Sequence, residues 1–304
     1  MIALTLQIVF SSVFTLVIKW AQIRGKEDEI TFGAINYIVA ATCILPVLYF
    51  NRPATISTAA MCTGASMGVI YFMAYFLVIQ AIRNVGAAST TVVGVLSILL
   101  PIGLATVLYN EHPRFIQWLG IGFALIALTL IGVPAKEETP IESHEPKSNE
   151  AENKESKFTK SKWLISLVLV GFFLLCGFSR VAQEAFKHLV AEDQHPDQRP
   201  IFLASAFTAA AIPSIVTLFV RRRKIKATEL GIGTAMGVSN ILQTFFILQA
   251  LGYFSGFIVF PVSSAGGVAM VTLVAVLLMG ERLTRRTLIG ISLSVVALFM
   301  LNSV

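Results

Sequence analysis

Gly64–Ala81 reads GASMGVIYFMAYFLVIQA, and much further along the chain Gly233–Ala250 reads GTAMGVSNILQTFFILQA. The two stretches carry Gly, Met, Gly, Val, Phe, Gln and Ala at the same places, and neither contains a charge. Each sits in a longer uncharged run, Pro53–Ile82 for the first and Leu230–Gly280 for the second. About 20 residues of helix cross a bilayer. About 51 residues, the length of the second run, would be roughly 77 Å long in one helix. That run therefore reads as two helices, broken near Gly252–Tyr253–Phe254–Ser255–Gly256.

The rest of the chain follows the same rule. Thr31–Asn51 and Asn84–Asn110 are further uncharged runs, each long enough for one crossing. Only 13% of the residues are charged, 56% are hydrophobic, and the mean hydropathy is +0.78. A soluble domain of this length carries about a quarter charged residues, so this chain uses lipid as its solvent. The polar/apolar alternation of a membrane β-barrel is absent, which leaves helices. Cys43, Cys62 and Cys176 all fall in apolar runs and read as packing residues. Met1–Ile18 lacks a basic n-region and a clear cleavage site and reads as a short first span. The basic residues are scattered over short loops, and Arg221–Arg222–Arg223–Lys224 reads as a membrane-surface anchor, so the excess positive charge does not signal nucleic acid.

Ten spans are expected, at 2–19, 31–50, 58–81, 86–108, 114–133, 163–182, 200–220, 229–250, 256–279 and 286–303. Residues 135–162 are rich in Glu, Lys, Ser, Asn and Pro and read as a disordered or loosely helical linker. The linker separates a first five-helix unit, 1–134, from a second, 163–304. Further matches run between the two. Lys19-x-Ala21-Gln22 pairs with Arg180-x-Ala182-Gln183, Pro46 with Pro213, Gly86 with Gly256, and Glu111…Gly120 with Glu281…Gly290, at offsets of 161, 167, 170 and 170. These bracket the offset of the opening pair. Collinear matches at similar offsets indicate an internal duplication. Five is odd, so the second unit enters the membrane from the opposite side. The expected fold is an all-α integral membrane protein of ten transmembrane helices in two inverted five-helix repeats, an architecture suited to alternating access.

These features, with a Glu after spans four and nine and a Gly early in spans five and ten, resemble the drug/metabolite transporter superfamily, in particular its EamA-type branch. The resemblance covers the whole chain except the linker. It implies a carrier of small solutes, among them amino acids, sugars, nucleotide sugars, phosphorylated sugars or drugs.

Polar groups inside a membrane are costly and mark candidate functional sites. Tyr71 and Tyr75 are four apart on span three and share a face. The matching positions on span eight are Asn240 and Thr244, with Gln243 beside them. Asn36 and Tyr37 on span two are further candidates for a central cavity, as are Ser263 and Ser264. The structural alternative is hydrogen bonding that only holds the bundle together. Gln80 and Gln249 lie near helix ends and suit backbone carbonyls there. Lys19 and Arg180 each close the first span of their unit and could hold a carboxylate or phosphate, or snorkel to the interface. Glu184, four residues after Arg180, is its ready helical partner. Glu111 and Glu281 are assigned to helix-end or gating roles beside Arg114 and Arg282.

Enzyme chemistry finds no footing: the four histidines fall outside the spans, no HExxH pair occurs, and no Asp lies within a span. No catalytic residue, metal site or cofactor is expected. The expected partners are a small-molecule substrate and the lipid bilayer, without nucleic acid; a homodimer is one arrangement open to it. Loops after odd-numbered spans hold 18 of the 23 Lys and Arg residues, which places both termini outside the cytoplasm, whereas the resemblance implies termini inside. The reading is a secondary transporter, by efflux or exchange, in the plasma membrane. An amino-acid-like solute is favoured because one cation with tyrosines and amides suits a carboxylate. A multidrug or cationic-compound exporter and a non-transporting receptor or scaffold are the alternatives.

Overall fold

The computed structural model describes residues 1–25, 27–50, 55–109, 113–132, 151–191, 197–279 and 285–301. Among them are ten helices and no strand. They are α1 (Ile2–Arg24), α2 (Glu29–Phe50), α3 (Thr58–Leu96), α4 (Leu99–Leu108), α5 (Phe115–Gly132), α6 (Ala151–Ala191), α7 (Arg199–Arg221), α8 (Ala227–Leu251), α9 (Gly256–Met279) and α10 (Arg285–Leu301). Seven helices are long and apolar enough to cross a membrane, and Val93–Leu108, Phe115–Leu130 and Leu288–Leu301 are shorter apolar stretches. Large apolar side chains such as Phe50, Phe219, Leu277 and Phe299 point outward, as an apolar solvent permits.

Local chemistry sets the helix ends. Gly25 closes α1 in the left-handed conformation, φ 62°, which a glycine adopts without strain. Asp28 opens α2 by accepting from the Thr31 N–H at 3.0 Å, and Ser57 opens α3 by accepting from the Ala60 N–H at 3.3 Å. At α8, Glu229 accepts from the Lys226 N–H at 3.0 Å.

Two boundaries differ from the sequence reading. Residues 151–162, expected in the linker, are the first turns of α6, while 133–150 lie outside the described residues. The expected break between spans three and four, at 82–85, lies inside α3, and the helix break comes at Ser97–Ile98. The two crossings are still visible in the packing. Gln183 of α6 reaches Met67 and Gly171 faces Leu77, so the first part of α3 runs against α6. Gly94 faces Phe172 and Leu100 faces Gly177, in the same sense as α6. The chain has changed direction between.

The repeated phrase is a helix-crossing surface. Gly64 and Gly68 of α3 lie against Phe202, Ser205, Ala206 and Ala209 of α7, and Gly233 and Gly237 of α8 lie against Phe32, Ile35, Asn36 and Val39 of α2. Each α7 residue is 170 positions after its α2 counterpart. A Cβ added at Gly237 would stand 2.7 Å from the Asn36 carbonyl oxygen. Small residues four apart allow this backbone approach. α2 and α7 run antiparallel: Asp28 before α2 pairs with Arg221 ending α7, and Gln198 before α7 bonds Ser57 and Thr55 beyond α2. α5 and α10 do likewise, Gln117 near the start of one donating to the Leu301 carbonyl of the other.

Candidate functional site

α2, α3, α6 and α8 bring a polar cluster into the apolar bundle. Its centre is Tyr71. The Tyr71 hydroxyl accepts from Gln183 Nε2 at 3.1 Å and lies near the Thr244 side chain. The Tyr71 backbone carbonyl accepts from the Tyr37 hydroxyl at 2.9 Å. On the adjoining side, Asn240 Nδ2 donates to Asn36 Oδ1 at 3.2 Å, and Gln243 Nε2 donates to Asn240 Oδ1 at 3.0 Å. The Thr244 hydroxyl donates to the Asn240 carbonyl at 2.8 Å. The sequence-selected Asn36, Tyr71, Asn240, Gln243 and Thr244 thus fall in two neighbouring networks.

Two atoms in this cluster carry polarity that the described protein groups do not use. Gln183 and Asn36 are 3% and 0% exposed. Among the described residues, Gln183 Oε1 and Asn36 Nδ2 have no hydrogen-bond partner. A buried amide atom left unpaired costs about 1–3 kcal/mol, and native structures rarely leave one so. One is an acceptor and the other a donor pair, so a zwitterionic solute could satisfy both.

Arg180 sits on α6 one turn before Gln183. Its Nη1 donates to the Gly94 carbonyl at 3.3 Å and to the Ser97 hydroxyl. One nitrogen therefore secures the α3–α4 break, where helix carbonyls lack intrahelical donors. The guanidinium has five N–H donors, so holding the break is compatible with holding an anion. The expected Arg180–Glu184 pair is replaced: Glu184 accepts from Lys187 at 3.2 Å and faces His188 at 3.3 Å. The reason is that Arg180 turns toward α3 and α4 while Glu184 turns toward the start of α9.

Tyr75 shares the face of Tyr71, but its hydroxyl donates to the Glu29 carbonyl at 2.6 Å. Its ring covers Gly33 and meets Tyr37 edge-on at 6.2 Å. Tyr75 thereby anchors the start of α2. Lys19 is half-buried on α1, one turn before Ala21 and Gln22, which line a polar pocket of about 310 Å³ with Gly25, Glu27, Asp28, Glu29 and Phe32. Glu111 and Glu281 lie outside the described residues. Sequence reasoning misses Gln183 as a site residue. Its signal is the Arg180-x-Ala182-Gln183 motif, which reads in the sequence only as a mark of the duplication.

Beyond the cluster, the Asp28 carboxylate meets Arg221 directly and Arg223 at 3.6 Å, and Arg223 also pairs with buried Glu229 at 2.8 Å. Burial raises the Asp28 pKa, but hydrogen bonds from Thr31 and the Arg221 charge outweigh it, and the carboxyl sits below its usual value.

Comparison with known proteins bears on all of this. A solved structure, described only as the crystal structure of a protein, superposes with a TM-score of 0.72 over 98% of this chain and 97% of its own, at 12% identity. Identity that low speaks for the fold alone. No curated protein matches the chain. Residues 1–133 match the EamA-like transporter family. Residues 1–133 are thus similar to the EamA-like transporter family, part of the drug/metabolite transporter superfamily, and the apolar helices make the chain a multi-pass integral membrane protein.

Proposed function

We propose that the protein is a secondary carrier for an amino-acid-like solute, working by alternating access between two inverted five-helix repeats, 1–134 and 163–304, in the plasma membrane. The antiparallel pairing of α2 with α7 and of α5 with α10 supports inversion, since each pair occupies matching positions in the two units. So does the recurrence of the glycine contacts at a constant offset.

The observation that carries the substrate class is the pair of unpartnered buried atoms, Gln183 Oε1 and Asn36 Nδ2, with Arg180 one turn before Gln183 on α6. In this reading Gln183 accepts from an ammonium group. Asn36 and the remaining Arg180 donors take a carboxylate. Tyr71, Asn240, Gln243 and Thr244 shape the site. Lys19 is a secondary candidate near the Asp28 end.

The test is thermal unfolding of the purified protein against amino acids, sugars, nucleotides and cationic drugs. A ligand at 100-fold its dissociation constant adds about 2.7 kcal/mol. Stabilisation by amino acids, reduced in Tyr71→Phe, Asn240→Ala and Arg180→Ala, is the expected result. Stabilisation by cationic drugs or sugars instead would overturn the substrate class.

A further inference from the structure

The transport reading leaves a buried carboxylate of α6 unused. Glu184 lies within the apolar Trp163–Val190 stretch of α6 and is 2% exposed. Ionised side chains at such depth are rare and mark ion or proton pathways. We propose that Glu184 is a proton-binding site that couples proton movement to solute movement, with His188 as the group that passes the proton between Glu184 and the aqueous edge. The proposal rests on the carrier reading above.

Three placements carry it. Glu184 Oε1 faces His188 Nε2 at 3.3 Å, and His188 is 22% exposed, so the pair reaches from the interior toward solvent. His188 stacks on Tyr109, at the end of α4, with ring centroids 3.7 Å apart. The Glu184 carboxylate is in contact with Gly256, the first residue of α9, where a Cβ would collide with it. A helix start favours an anion, so ionised Glu184 draws α6 and α9 together and the protonated acid does not. Glu184 adjoins Gln183, and α6 therefore links the proton site to the solute cluster within one turn.

The groups facing the carboxylate include Lys187 and His188 from α6, Tyr109 from α4 and the Gly256 backbone from α9. Arg180 turns to Gly94 and Ser97. In the loading step an O–H bond forms at Glu184 as the N–H bond at His188 Nε2 breaks, and neutral His188 then takes a proton from water. Once alternating access has opened the His188 edge to the other side, the reverse transfer releases the proton there.

Infrared pH titration of the purified protein in phosphatidylcholine/phosphatidylglycerol liposomes tests the site directly. Subtracting the Glu184→Gln spectrum should isolate one carboxylic-acid C=O band that changes between about pH 5 and pH 8, the range in which a histidine relay operates. No change across that range would overturn the proposal. The same liposomes, given a radiolabelled L-amino-acid mixture, report coupling as the ratio of pH-gradient-driven to counterflow uptake. One pH unit supports about tenfold accumulation at one proton per solute. The ratio should fall about tenfold in Glu184→Gln and survive in Glu184→Asp, which also serves if the glutamine variant does not fold. A band without loss of the ratio would equally overturn the proposal. Absence of counterflow in wild type would sink the amino-acid reading instead, and the infrared band would still decide the proton site.

Discussion

Gly237→Ala probes the crossing of α8 over α2 with a single methyl group. The new Cβ would stand 2.7 Å from the Asn36 carbonyl oxygen, 2.8 Å from Val39 Cβ and 2.9 Å from Val39 Cγ1. Carbon atoms in contact prefer about 3.5–4.0 Å, so the helices must separate by roughly 1 Å. Overpacking of this kind costs about 1–3 kcal/mol. The helix-forming advantage of Ala over Gly offsets about 1 kcal/mol, leaving a net loss of up to about 2 kcal/mol. Gly231 is the control on the same helix. Nothing lies within 4 Å of its added Cβ, so Gly231→Ala should gain about 0.5–1 kcal/mol. Asn36 would also be displaced, so Gly237→Ala should weaken solute binding as well as stability. The assay is thermal unfolding of both variants in one detergent at one scan rate. If Gly237→Ala melts at or above wild type while Gly231→Ala does not gain, the close-crossing account is wrong. Gly68→Ala, the matching position on α3, should behave as Gly237→Ala does.

Three other outcomes are expected. Tyr71→Phe takes away the oxygen that receives Gln183 Nε2 and leaves that amide only the weak Met67 sulfur as acceptor; this should weaken solute binding about tenfold, and unchanged ligand-induced stabilisation would remove Tyr71 from the site. Asp28→Asn should lower the melting temperature at neutral pH: the lowered Asp28 pKa means its contribution is complete above the usual value of 3.8 and lost as pH falls through the lowered one. The gap between wild type and Asp28→Asn should therefore stay constant from pH 7 to 5 and close only below about pH 4, and a gap that closes by pH 6 would contradict the assignment. Gln198→Ala should speed amide hydrogen exchange at Ser57, whose N–H donates to Gln198 Oε1 at 3.1 Å; exchange at the wild-type rate would show that this contact does not hold the α2–α3 connection.

The helical membrane class was written in composition and run length, because any apolar stretch of sufficient length must satisfy its backbone internally when lipid surrounds it. The start of α9 was legible to the residue, at Gly256. The helix break at Ser97 was not, because it is held by Arg180, a residue from α6. The repeated Gly-x-x-x-Gly was visible as a repeat, yet its purpose appeared only with the partner helices α2 and α7 in place. Tyr71 and Tyr75 share one face by periodicity alone, but their different roles depend on distant groups: Gln183 and Thr244 for one, Glu29 and Gly33 for the other. Glu184 followed the same rule, its neighbour Arg180 being drawn away by α3 and α4. By itself, then, the sequence determined solvent, secondary structure and duplication, all of which depend on spacing along the chain. Only the tertiary structure decided which polar groups are spent on the scaffold and which stay available, because hydrogen bonds and ion pairs go to the nearest partner in space.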